Sequence, residues 1–382
     1  NGAIVTDGAV TIDGPVTLAT GAVSVTTAND AITFNHSIDG EQTLTLVAGT
    51  AATALQGEIG GTTAITSLTI TNGSAAGTIE VSNIAGTTGV VSLGNTNTAT
   101  LTLDGTAYST GGAQTYTAAA GQNIDITGAA ATFTSTNDNI GFATAGVDLN
   151  NNGTTTINTD TAGGTVTFGA AIETDGGDDD LLVVTSGTGN VTFTGAIGAT
   201  QELGGLSVNA SAGDGDITFS STIGSTDAGV IGTTAIGNST TADLNFASTL
   251  YSFDGTATIT AAAGDNIDVS AAASFTTAAD NISFATGNIH LADGANLTID
   301  TGAGAGNITI GAEIAGTSVE TVTIDAGTGT ASVGVIGTST EIGVLTIGSA
   351  ENGGITLNGA IVTDGAVTID GPVTLATGAV SV

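Results

Sequence analysis

The chain has 382 residues, with no Lys and no Arg against 35 Asp plus Glu, a formal charge of −35, and 40% hydrophobic residues. Nucleic acid and anionic membrane surfaces are bound chiefly through cationic side chains, so neither is an expected partner, and divalent cations are the natural counter-partner. Cys is absent too, which excludes disulfides, thiolate metal sites and thiol nucleophiles; a mean hydropathy of +0.36 argues against disorder, which needs low hydrophobicity as well as net charge.

The opening stretch, NGAIVTDGAVTIDGPVTLATGAVSV, returns letter for letter at 358–382, so the offset is 358 − 1 = 357. This reads as one period of a longer repeat array plus an overlap. Pro15 and Pro372, the only two prolines, occupy the same position of that repeat. Such scarcity fits a chain whose backbone amides are needed for strand ladders. No run of about 18 apolar residues occurs, so nothing here is expected to span a membrane.

From Ile32 onward a seven-residue pattern recurs: an apolar residue, Thr, an apolar residue, three mostly small residues, then Ile. It appears as ITFNHSI (32–38), VTFGAAI (166–172), VTFTGAI (191–197), ITFSSTI (217–223), ITIGAEI (308–314) and ITLNGAI (355–361). With its closing Ile as the marker, positions fall into triplets at Ile38, Ile59, Ile84, then Ile172, Ile197, Ile223, then Ile314, Ile336, Ile361. Neighbours within each triplet are separated by the length of one solenoid coil. AAAGQNIDITGAAATFTSTNDNIGFAT (118–144) is related to AAAGDNIDVSAAASFTTAADNISFAT (261–286), with Gly121 aligned to Gly264 at an offset of 264 − 121 = 143. Tyr108 and Tyr251, and Asp125 and Asp268, share that offset. The array therefore divides into related copies at roughly 1–105, 106–247 and 248–382.

Period-two alternation of β-branched residues with Thr and Ser predicts short strands, and 60 Gly supply positive-φ corners between them. The expected fold is all-β: a parallel β-helix, or β-solenoid, of about 15 coils with roughly 21–26 residues per coil, in which each short strand pairs with its equivalents above and below. Tandem β-sandwich domains are the alternative, since they too show short strands with turns every 8–12 residues. An aromatic content of 3% favours the solenoid.

VTFTGAIG followed by LGGLSV, together with GGAQTYTAAAGQNIDIT and TIDGPVTLATGAVSV, resembles the repeats of giant secreted bacterial surface proteins of the filamentous-haemagglutinin-like kind. The likeness covers essentially the whole chain and rests on strand-and-turn grammar. It implies a right-handed parallel β-helix, exported and displayed extracellularly on the cell surface. The absence of Lys and Arg departs from such adhesins and favours a passive filament, sheath or stalk over receptor binding.

Chemistry is sparse. His36 and His290 are far apart in sequence, and no acid pair stands out for glycoside hydrolysis, so no enzyme is expected. TDGGDDD (174–180) places Asp175, Asp178, Asp179 and Asp180 in one glycine-bearing turn, and GDGD (213–216) adds Asp214 and Asp216; these are the candidate Ca2+ ligands, because calcium takes six to eight oxygens and glycine turns let carbonyls converge. About two net negative charges per coil, stacked within a Debye length, predict that divalent cations stiffen the stack. Threonine rows show no strict sequence register, which argues against an ice-binding face. The expected role is a structural extracellular segment that self-associates end to end and laterally. An adhesin stalk with its binding domain elsewhere and a calcium-dependent surface-layer component are the alternatives.

Overall fold

The computed structural model describes residues 2–74, 76–176, 180–225, 228–348 and 353–376. Among them the secondary structure is all-β without a helix, and the parallel strands stack as a β-solenoid of about 15 coils. Tandem sandwiches are ruled out, because every described strand pair is parallel and joins one coil to the next. The chain divides into two compact units, 1–190 and 191–382.

In unit 1 each coil contributes to three faces. The first face holds eight strands, from Gly2–Thr6 to Val166–Phe168, and the second also eight, from Val10–Ile12 to Ile172–Thr174. The third begins with Val16–Thr17 and Ile38–Asp39, continues through single bridges from Ile38 to Ile59 and Ile59 to Ile84, and runs on to Leu181–Thr185. Unit 2 repeats this plan. Its first face runs from Val191–Phe193 to Ile314–Ala315 and then through bridges to Ile336 and Ile361. Its second face starts with the bridged Ile197, Ile223 and Tyr251 and ends at Val367–Ile369, and its third has eight strands from Gly205–Val208 to Val373–Leu375.

Alternation explains why such short strands suffice. In Thr43–Val47, Leu44 and Leu46 are fully buried while Thr43, Thr45 and Val47 face outward. Successive side chains of a strand point to opposite faces, so a three-residue strand gives two residues to the core and one to the surface. All 13 aromatic residues lie in the core. They stack in files along the coils. Tyr116, Phe142 and Phe168 form one file with ring centroids 5.1 Å apart at both steps, and Phe193, Phe219 and Phe246 form another at 4.9 and 5.3 Å. Each buried ring contributes about 1.5–3 kcal/mol by removal from water, so a small aromatic content yields a continuous core.

Among the polar residues buried in that core, Gln114 has both ends of its side-chain amide hydrogen-bonded. The Gln114 amide nitrogen shares its two hydrogens among Tyr108 O at 2.9 Å, Thr110 Oγ1 at 3.0 Å and Thr134 O at 2.7 Å, and its carbonyl accepts from the Tyr116 hydroxyl at 2.7 Å. The Tyr108 hydroxyl in turn donates to Val81 O at 2.9 Å. Unpaired, any of these groups would cost about 1–3 kcal/mol.

The closing isoleucines stack as their spacing implies: Ile38 on Ile59 on Ile84, Ile197 on Ile223, and Ile314 on Ile336 on Ile361. Coil length varies more than expected. The shortest ladder step, from Ile355 to its partner Val373 on the third face, is 373 − 355 = 18, whereas the step from Ile223 to Tyr251 on the second face is 251 − 223 = 28. Corner loops absorb most such insertions, and the ladders shift register at Gly77–Thr78 and between Ile84 and Thr87.

The longer repeat has a specific relation to the coil. In unit 1, five coils above Ile38 lies Ile157, and Ile172 follows two faces later. In unit 2, five coils above Ile197 lies Ile324, and Ile336 again follows two faces later. A sequence copy thus advances five and two-thirds coils in each unit. The seven-residue motif accordingly turns the second-to-third corner at Ile32–Ile38 but the first-to-second corner at Val166–Ile172. It is a general corner, usable on any edge of the triangle.

Candidate functional site

The corners show where most of the acceptor side chains go. Asp39 Oδ1 accepts the amides of Thr62 and Thr63 at 2.8 and 3.1 Å, and Asn83 Oδ1 those of Thr106 and Ala107 at 2.8 and 3.0 Å. Asn307 Oδ1 accepts Thr330 N at 2.9 Å, and Glu313 Oε1 accepts Ser339 N at 2.6 Å. Each joins one coil to the next. Carboxylates without cationic partners are therefore tolerated because backbone N–H groups, which turn away from the ladder at corners, serve as their donors.

The predicted calcium ligands divide accordingly. In unit 1, Asp175 is exposed at the corner after Ile172–Thr174, Asp180 is fully buried, and Asp178 and Asp179 lie outside the described residues. Asp180 Oδ1 accepts Asn151 N at 3.2 Å and Gly153 N at 3.3 Å, while burial pushes its carboxyl up from the ordinary value. In unit 2, Asp214 is exposed, and the half-buried Asp216 accepts Asp243 N through Oδ1 at 3.3 Å; Asp243 Oδ1 accepts Asn266 N at 2.8 Å in the next coil. Asp180, Asp216 and Asp243 are thereby links of the corner ladder. Among the described residues, no three His, Asp or Glu side chains converge on a point where one ion could be held.

The two histidines are exposed and sit in different units. His290 Nδ1 lies 3.0 Å from Asp268 Oδ1 on the coil below.

Outward columns separate charge from neutrality. On the second face of unit 1, Glu80, Thr102, Asp125, Asp148 and Glu173 stand in register on successive coils. On the first face of the same unit the central column reads Ala3, Ser24, Thr45, Thr69, Ser92, Thr115, Gly141, Thr167. The third face of unit 2 carries Ser207, Ala235, Thr258, Ser283, Thr309, Ser332, Thr356 and Thr374. Both columns are uncharged over eight coils. This corrects the expectation that threonine rows fall out of register: variable corner loops hide in the sequence an alignment that the ladders impose. Where the strands are three residues long the column is a single file, and the five-residue strands Thr43–Val47 and Ser67–Thr71 add outward neighbours on either side, Thr43 beside Ser67 and Val47 beside Thr71.

The surface of the described residues includes concavities in both units. One of about 410 Å³ in unit 2 is bordered by Glu202, Ser252, Asp254, Thr276 and Thr277. Another, of about 310 Å³ in unit 1, is bordered by Gln122, Asn123, Thr144, Asp148 and Glu173.

No protein family, curated protein or solved structure matches the chain. The likeness to filamentous-haemagglutinin-like repeats thus rests on the strand-and-turn pattern, with which a parallel solenoid of repeats agrees.

The acidic column at Asp148 and the neutral columns were missed from sequence alone. The signal was present in the spacing: the steps from Asp125 to Asp148 and from Asp148 to Glu173 are each one coil length.

Proposed function

We propose that the chain is a structural segment of a giant, acidic, extracellular repeat protein, a filament, sheath or stalk whose copies associate through their uncharged faces. The observation that carries this reading is the uncharged eight-coil column from Ser207 to Thr374, hydroxyl-bearing at every position but Ala235. A protein carrying 35 carboxylates and no Lys or Arg repels its own kind. Two such molecules approach at least cost where no charge projects, and small, regularly spaced hydroxyls let sheets lie face to face. The same argument applies to the column from Ala3 to Thr167 in unit 1.

Membership among filamentous-haemagglutinin-like surface proteins, and display outside the cell, belong to this proposal and are supported by the repeat pattern. Divalent cations, calcium foremost, act in it as a diffuse atmosphere that lowers repulsion between coils. A melting temperature unmoved by chelator would remove that component.

The test of association is to place charge in the neutral column. The double substitution Thr309→Asp with Ser332→Asp should abolish lateral association seen by light scattering and electron microscopy while leaving the far-ultraviolet β signature intact. Undiminished association of the folded variant would refute the role of this face.

A further inference from the structure

The second face of unit 1 stacks three carboxylates without a break. Asp125, Asp148 and Glu173 are register partners on successive coils, and the corner that follows adds Asp175 and the fully buried Asp180. Strands in a ladder lie about 4.8 Å apart, well inside the screening length of ordinary salt. Asp148 is the middle member, and its Oδ1 is shielded from solvent without a hydrogen-bond partner; Asp180 Oδ2 is in the same condition.

The groups facing Asp148 are all acidic or neutral. Asp125 lies on the strand below, Glu173 on the strand above, and Asp175 and Asp180 in the adjoining corner. Gln122, Asn123 and Thr144 complete the wall of the concavity beside it. The chain has no Lys or Arg; His36 belongs to the second coil of this unit and His290 to the other unit. Unlike Asp39, Asp216 or Glu313, Asp148 has no amide of the next coil to occupy its buried oxygen.

We propose that Asp148 is a proton-binding site, its carboxyl protonated and shared with a carboxylate of an adjacent coil, so that the coils from Asn123 to Thr174 hold together more firmly in mild acid than at neutral pH. A protonated carboxyl becomes a donor, and its O–H turns a repulsive contact with Asp125 or Glu173 into a charge-assisted hydrogen bond. Burial, then the charges of Asp125, Asp175, Asp180 and Glu173, push the Asp148 carboxyl up to about 6; burial raises Asp125 as well. The folded protein therefore binds the proton more tightly than the unfolded chain. Stability from this group is complete below the ordinary carboxylate range and is lost as pH rises through about 6.

The test uses the full chain labelled with carboxyl-13C aspartate, titrated by NMR in chelator-treated buffer, with Asp148→Asn identifying the resonance. The expected result is one aspartate with a midpoint near 6, moving downward in Asp125→Asn and in Glu173→Gln because a neighbouring charge has gone. The thermal midpoint of the wild-type chain should climb as pH falls from 7 to 5, and Asp148→Asn should flatten that climb. An Asp148 midpoint in the ordinary carboxylate range, or an unchanged pH slope in Asp148→Asn, overturns the proposal. So does a raised midpoint that collapses when calcium replaces the chelator, which would make the column a cation site.

Discussion

His290 stands directly above Asp268 on the first face of unit 2, with Nδ1 and Oδ1 3.0 Å apart. Asp125, at the same position of the sequence repeat as Asp268, stands instead beneath Asp148. One repeat position thus yields an attractive contact in one unit and a repulsive one in the other, and the difference is made by a single residue one coil away.

That contrast can be transplanted. His290→Ala should cost only about 0.5 kcal/mol, since the imidazole is half exposed. His290→Asp should cost more, because it builds a second carboxylate stack over Asp268, and the cost should shrink on acidification. Chemical denaturation of both variants at pH 7 and pH 5 checks the pair.

Glu320 has the opposite pH signature to Asp148. Burial pushes its carboxyl up, but hydrogen bonds from the Thr317 hydroxyl and from the amides of Thr317 (2.6 Å) and Gly294 (3.2 Å) outweigh this and hold it below the usual range. Its contribution is present above the ordinary glutamate pKa and is lost as pH falls through the lowered folded value. Glu320→Ala should therefore destabilise by about 2–3 kcal/mol at pH 7, the scale of hydrogen bonds to a charged group, and by less near pH 3. Unfolding free energies at the two pH values measure the difference.

The aromatic files should behave as one packed column. Phe219 is buried between Phe193 and Phe246, so Phe219→Ala should cost about 3–5 kcal/mol and Phe219→Leu under half of that. Equal costs for the two, read from urea midpoints, would mean that the file is loosely packed.

Two corner glycines separate conformational strain from steric closure. Gly121 has φ +77° with open space where a Cβ would stand, whereas Gly49 has φ +59° and a Cβ there would lie 1.9 Å from Ala28 O in the coil below. Gly121→Ala should cost about 1–2 kcal/mol, the left-handed penalty alone. Gly49→Ala should cost at least twice as much and lower the thermal midpoint accordingly.

Much of the fold was legible because alternation and the isoleucine marker are local signals. Ile-Thr-Phe at Ile32–Phe34 buries both ends and turns its centre outward, and Ile38, Ile59 and Ile84 stack as their spacing implied. Register was not legible. Coils as unequal as those closed by Val373 and by Tyr251 leave no fixed period to count along, and a copy that advances by five and two-thirds coils carries the same motif from one face to another. Asp125 and Asp268 look equivalent in sequence yet meet different neighbours for this reason. In the acidic turns the sequence shows the carboxylates that make candidate metal ligands but conceals the backbone amides that some of them accept. Asp216 and Asp180 each accept such amides.

In the proposed material, coils stacked through parallel ladders are the building principle. Electron diffraction from aligned assemblies of the chain tests it most directly. A reflection at about 4.8 Å along the length of the assembly is expected, because strands lie across the stacking direction. That spacing found only across the length, with a coarse beaded repeat along it, would contradict the account.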